Sequence, residues 1–131
     1  MEIRERYQRL LLVALDEFPH IVAESSLVGG TVLKPRVLRL HLFDQSYLDM
    51  RVAADGYAFH WERRAIDGLL YRWDNAPHHR AHHREISTFP HHLHSGSESH
   101  VIESHLPTDS PESALRYVLD FIEKWLNDNR S

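Results

Sequence analysis

Nine of the 12 histidines in this 131-residue chain fall between residues 78 and 105: His78, His79, His82, His83, His91, His92, His94, His100 and His105. Imidazole titrates near neutral pH and binds transition metals, so such a cluster can act as a general acid and base, as a pH-dependent cation toward phosphate, or as a metal site. His78/His82 and His79/His83 are i,i+4 pairs that would chelate on a helix, but Pro77 and the flanking loop residues argue against a helix there. His82, His83, His100 and His105 also fit plain surface decoration of a loop. Arginines supply the complementary chemistry, because a guanidinium binds phosphate through a planar fork of donors.

These residues need a scaffold. Ile3, Tyr7, Leu10, Leu11, Ala14, Leu15 and Phe18 recur at helical spacing and Pro19 stops the pattern, which predicts a helix over roughly residues 2–18. Ser110 as N-cap, Pro111 in the first turn and the stripe Ala114, Leu115, Val118, Leu119, Ile122, Trp125, Leu126 predict a second. Between them, residues 20–33, 36–43, 47–54, 57–65 and 69–75 alternate and are rich in β-branched and aromatic residues, as strands are. Asp55-Gly56 and Asp67-Gly68 read as hairpin turns. The expectation is a single α+β domain over 1–131: an antiparallel meander of about five strands flanked by an N-terminal and a C-terminal helix, with a His-rich loop over 78–105.

Requiring apolar neighbours to share a face predicts the register. It pairs Leu38, Leu40 and Leu42 with Val52, Met50 and Leu48, then Val52 with Phe59 and Met50 with Trp61. A bulged turn Ile66-Asp67-Gly68 sets Tyr71 and Trp73 beside Arg63 and Trp61. The opposite face then carries two polar rows, Arg39, Arg51, His60, Asp74 and His41, Asp49, Glu62, Arg72. One reading of them is a solvated face with weak ion pairs. The sharper reading is that Arg39 and Arg51, as adjacent like charges, expect an anion such as phosphate between them, and that Asp74 orients His60 as an acid or base.

Composition narrows the classes. The chain is 42% hydrophobic and 26% charged, the balance of a globular protein with a core. It has no cysteine, which excludes disulfides, thiolate metal sites and Cys nucleophiles. No apolar run is long enough to span a membrane, and the charged opening Met1 to Arg6 is unlike a signal peptide, so a cytoplasmic protein is expected. Residues 1–97 hold 12 basic and 12 acidic side chains and residues 98–131 hold 3 and 7, so the net charge of −4 sits in the C-terminal part.

At Tyr71-Arg72-Trp73-Asp74-Asn75-Ala76-Pro77-His78-His79 and Thr88-Phe89-Pro90-His91-His92-Leu93-His94 the chain resembles the TumE family of toxin–antitoxin proteins, chiefly over residues 57–103. The resemblance implies a prokaryotic toxin neutralised by a cognate antitoxin, typically DNA-binding, and it points to Asp74, Asn75, His78, His79, His91, His92 and His94. The stretch Arg80 to Glu85 is longer than the family's usual spacer and puts His82 and His83 outside the shared set.

Toxicity leaves the reaction open. Histidines and arginines without a nucleotide-binding loop suit metal-independent RNA cleavage, in which one His takes the 2′-OH proton, another protonates the leaving oxygen and Arg holds the phosphate. The catalytic candidates are His60, Asp74, His78, His91 and His92, with His60 or His78 as base and His91 or His92 as acid. The substrate-binding candidates are Arg39, Arg51, Arg72 and Asn75. No cofactor is required in that reading. One alternative is a metal-dependent nuclease or hydrolase in which His78, His79, His91, His92 and His94, with Asp74, hold zinc, manganese or nickel; another is a non-catalytic His-rich binding module. The net charge opposes a broad nucleic-acid surface and favours a few local cations. The expected partners are the antitoxin and RNA, with a homodimer left open.

Overall fold

The computed structural model describes residues 2–77 and 86–129. Helix α1 (Ile3–Glu17) leads into β1 (Val22–Gly30), β2 (Pro35–Leu42), β3 (Tyr47–Ala53) and β4 (Gly56–Arg63). A single helical turn, α2 (Arg64–Asp67), precedes β5 (Leu69–Asp74), β6 (His92–Gly96) and β7 (Val101–Glu103), and α3 (Pro111–Asp128) closes the described chain. The strands form one antiparallel sheet in the order β1 to β7, so each strand pairs with its chain neighbours. The α+β meander between two terminal helices is as expected, with seven strands and not five.

Both helices arise where the apolar spacing places them. In α1, Tyr7, Leu10, Val13 and Ala14 are buried. In α3 the Ser110 hydroxyl accepts the Ser113 N–H at 3.1 Å, a side-chain cap on an otherwise orphaned donor, and Leu115, Val118, Leu119 and Ile122 are fully buried. The two helices cover one face of the sheet, where Leu38, Leu40, Leu48, Met50, Phe59, Trp61 and Trp73 complete the core. Tyr71 and Trp73 belong to this face, and Trp73 is wholly buried.

The two additional strands lie in the stretch expected to be loop. Their pattern is concealed because His92 and His94 take positions where apolar residues are sought, although both are almost fully buried, while Leu93 between them points into the core. A sequence rich in His and Ser hides a strand whose buried side chains are imidazoles.

Register is the principal correction. The observed pairs are Leu38↔Met50, Arg39↔Asp49 and Leu40↔Leu48, then Met50↔Phe59 and Leu48↔Trp61, then Phe59↔Trp73, His60↔Arg72 and Trp61↔Tyr71. Each hairpin slips by two residues from the expected pairing. A slip of two preserves which side chains share a face and changes every cross-strand partner.

The turns explain the slip. Asp44 accepts the Ser46 N–H at 3.0 Å and its hydroxyl at 2.5 Å, and Gln45 adopts φ 77°, so the first reversal centres on Asp44, one residue earlier than expected. Ala54 and Asp55 form the second turn, leaving Gly56 as the first residue of β4. A side chain there would meet the Asn75 Oδ1 at 2.9 Å. In place of the bulged turn Ile66-Asp67-Gly68, α2 ends on Gly68 at φ 82°, a left-handed position that suits glycine.

Two sequence expectations fall with the register. Arg39 is not adjacent to Arg51; it faces Asp49 and binds it in a fork, at 2.7 and 2.9 Å. His60 is not beside Asp74; it lies opposite Arg72 and bonds Glu62 at 2.9 Å. At Arg39 the observed register sets an opposite charge across the strands where the expected one set a like charge, which is the electrostatically favourable choice.

Candidate functional site

On the face away from the helices, β5 and β6 bring Asp74 opposite His92 and Arg72 opposite His94. The His92 Nε2 lies 3.0 Å from one Asp74 oxygen, and the His94 Nε2 lies 3.9 Å from the other. The Arg72 Nε donates to Asp74 at 3.2 Å and the Ala76 N–H at 3.0 Å, so the carboxylate is held from several sides. Both imidazoles are anchored from behind: the Nδ1 of His92 reaches the Pro90 carbonyl at 2.7 Å and that of His94 the Glu98 carbonyl at 2.8 Å. A carbonyl oxygen only accepts, so each Nδ1 carries its proton and each Nε2 is aimed at Asp74.

The electrostatics differentiate the two rings. Burial alone would lower the His92 pKa, but the hydrogen bonds to Asp74 and the Pro90 carbonyl and the charge of Asp74 outweigh it, and the pKa is raised. For His94 burial prevails, reinforced by the Arg72 charge, and the pKa is lowered. Burial would raise Asp74, yet hydrogen bonds from His92 and the Ala76 amide and the charges of His92 and Arg72 hold it below the usual carboxylate range. His92 is therefore favoured as the cation and His94 as the neutral base, a divergence that acid–base sites require. Arg72 in turn donates a fork to the Glu98 carboxylate, at 2.7 and 2.6 Å.

An open cleft of about 470 Å³ lies over this centre. Arg51, Tyr57, Ala58, Arg72, Asp74, Asn75, His92 and His94 are among its walls. Arg51, Ala58, Asp74 and His92 follow one another across four strands, and the small Ala58 leaves the space between the arginine and the carboxylate unfilled. Burial and the charge of Asp74 push the Tyr57 phenol up to about 12, which keeps it a hydrogen-bond donor at neutral pH.

The remaining sequence-derived candidates sort clearly. Asn75 lines the cleft, and its side-chain oxygen accepts the Tyr57 N–H at 3.0 Å. His91 turns to the Tyr57 hydroxyl at 2.9 Å and lines a second cleft, of about 320 Å³, near the start of α3. Arg39 is committed to Asp49 and His60 to Glu62, one row away from the Asp74 pair. His78, His79, His82 and His83 lie outside the described residues. Sequence reasoning places His94 in the family motif and in the metal alternative and assigns it no acid–base role, whereas its anchored ring faces Asp74 as His92 does. The His92-Leu93-His94 alternation, read as a strand, carries that signal. Nothing in the sequence marks Glu98.

Glu62 supplies a check on the electrostatics of this face. Burial raises its pKa, but hydrogen bonds from Arg64 and His60 overcome that and bring it from 4.5 down to about 2. A carboxylate depressed on folding stabilises the fold above its unfolded value and loses that contribution as pH falls through its folded value. The Glu62 carboxyl carbon should thus titrate in NMR near pH 2, and the acid-induced loss of stability between pH 4.5 and 2 should be shallower in Glu62→Gln.

Among the described residues no helix is long and apolar enough to cross a membrane. No curated protein and no solved structure matches the chain. The family model for the toxin TumE matches residues 11–126, which takes in the sheet, the Asp74 centre, the C-terminal half of α1 and most of α3. The chain belongs to the TumE family of toxins, the toxic half of a toxin–antitoxin pair with a cognate antitoxin as its partner.

Proposed function

We propose that this toxin is a metal-independent endoribonuclease whose reaction centre is the cleft over Asp74, His92 and His94. The observation that carries the reading is the convergence of two backbone-anchored imidazoles and a carboxylate beneath Arg51 and Arg72. In the reaction His94 Nε2 takes the proton of a ribose 2′-OH, and the 2′ oxygen attacks the adjacent phosphorus. The bond from phosphorus to the 5′ oxygen breaks, and His92 donates its Nε2 proton to that leaving oxygen. The products are a 2′,3′-cyclic phosphate and a 5′-hydroxyl. Arg51 and Arg72 balance the charge growing on the phosphate, with Arg72 exchanging the Glu98 carboxylate for the substrate. Asn75 and Tyr57 border the same cleft and serve to place the nucleotide.

The local character of the site answers the objection from net charge: two arginines suffice for one scissile phosphate, and a long basic stripe is unnecessary. Of the acidic residues in the C-terminal part, Glu98 binds Arg72 and Glu123 binds His20, and the others meet the antitoxin or solvent.

Expression without antitoxin should arrest growth, and purified protein should cleave single-stranded RNA in the presence of a chelator. His92→Ala and His94→Ala should each lower cleavage by about 10²–10⁴-fold and restore growth. Intact RNA at all protein concentrations, or undiminished cleavage by both variants, would refute the proposal.

A further inference from the structure

We infer that Asp74, His92 and His94 form a binding site for one divalent transition-metal ion of the zinc or nickel class. The inference stands on ligand geometry and does not depend on the nuclease reading; an ion held by both Nε2 atoms displaces the proton that reading places on His92 and occupies the base of His94, so the ion-loaded protein should not cleave RNA. One carboxylate oxygen and two imidazole nitrogens lie within 4.8 Å of one another, all three side chains buried. Bond lengths of about 2.0–2.1 Å in a tetrahedral site require ligand atoms about 3.3 Å apart, so small side-chain adjustments bring this set to the required geometry.

The outer contacts are those that metal-binding histidines use. Each ring donates its Nδ1 proton to a main-chain carbonyl, of Pro90 or of Glu98, which fixes the tautomer and directs Nε2 inward. Asp74 is oriented by the Ala76 N–H. Arg72, whose charge would repel an ion, is neutralised by its fork to Glu98. Two nitrogens and one oxygen suit zinc, nickel or cobalt over magnesium or calcium, which prefer all-oxygen shells. Among the described residues these three ligands meet at the floor of the cleft.

The test uses full-length, untagged, chelator-treated protein with Zn²⁺ and Co²⁺ as probes. One ion per chain should bind, Co²⁺ should show visible absorption typical of nitrogen ligation, and one equivalent of Zn²⁺ should move the ring resonances of His92 and His94. His94→Ala should weaken binding by about 100-fold or more, since losing a ligand costs more than losing one of its supporting contacts. The exposed His100→Ala should bind as the unmodified protein does. Absence of binding, binding unaltered in His94→Ala, or shifts confined to other histidines would overturn the inference. The NMR result needs no variant, so it decides even if His94→Ala fails to fold. Parallel RNA cleavage assays keep the two claims separate: an ion bound by a protein that never cleaves RNA removes the nuclease reading alone, and cleavage by a protein that binds no ion removes this one alone.

Discussion

Asp74→Asn is expected to leave the protein folded and to reduce RNA cleavage by about 10²–10⁴-fold, the range that a positioned proton donor contributes. The substitution keeps the shape and changes the sign of one hydrogen bond. In the native protein a carboxylate oxygen accepts from His92 Nε2 at 3.0 Å, while His92 Nδ1 is occupied by the Pro90 carbonyl. The ring is thus held with protons on both nitrogens, as a general acid must be. The amide that replaces the carboxylate can present its NH₂ to Nε2, and a neutral His92 then accepts that hydrogen bond and has no proton to give. Arg72 also loses a charged partner but keeps Glu98, so phosphate affinity changes less than turnover. The signature is a fall in kcat much larger than any rise in KM, and one further feature that simple damage to the site would not produce. A substrate with a nitrophenol leaving group needs no proton on departure, so its cleavage should lose far less activity than that of RNA. Equal losses on both substrates would remove His92 as the acid.

The parts of this fold that could be read from the sequence are those governed by local periodicity. α1 and α3 announce themselves through a 3.6-residue apolar stripe, Pro19 and the Ser110-Pro111 cap, and the first five strands through alternation. The faces were legible too: Arg39, Asp49, His60, Arg72 and Asp74 do lie away from the helix-covered core. The partners were not, because register is decided in the turns. Gln45 in a left-handed conformation, the helical turn of α2 and the turn at Ala54 and Asp55 each move the pairing by two residues. Those two residues separate an expected Arg39/Arg51 phosphate clamp from an observed Arg39–Asp49 ion pair, and an expected His60–Asp74 pair from the observed His92–Asp74 pair. β6 was concealed because its buried positions are imidazoles. The role of His94 depends on where the Glu98 carbonyl lies, which no spacing rule foretells. Asp74 and His92 were accessible through the resemblance to a family motif; their proximity became visible only once β6 was known to pair with β5.

Replacing Arg63 by Met is expected to cost about 2–4 kcal/mol of stability without touching the cleft. Arg63 is the one charged side chain on the core face of β4, and only 6% of it is exposed. Its guanidinium bonds Asp44 in the β2–β3 turn and Asp67 in α2, the latter at 2.9 Å, and so ties together two of the three reversals that set the register. It also lies over the rings of Trp61 and Trp125, at 5.0 and 4.4 Å from their centroids, which joins the sheet to α3. Methionine fills similar space and keeps the apolar contact, so the expected loss is electrostatic: two carboxylates left without their cation and two cation–π contacts removed. Breaking a fully buried pair costs about 3–5 kcal/mol because the abandoned charge stays out of water. Here the Asp44 and Asp67 side chains are 26% and 29% exposed and regain part of their hydration, which puts the figure at or below that range. For a chain of this length the change lowers Tm by roughly 6–15 °C. Arg63→Lys should lie between, since an ammonium keeps the charge but cannot serve both carboxylates in one plane. Adding Asp44→Asn to Arg63→Met should recover part of the loss, because it removes a charge that has no partner. If Arg63→Met is as stable as the native protein, the ion pairs contribute nothing net and the register rests on the apolar pairs alone.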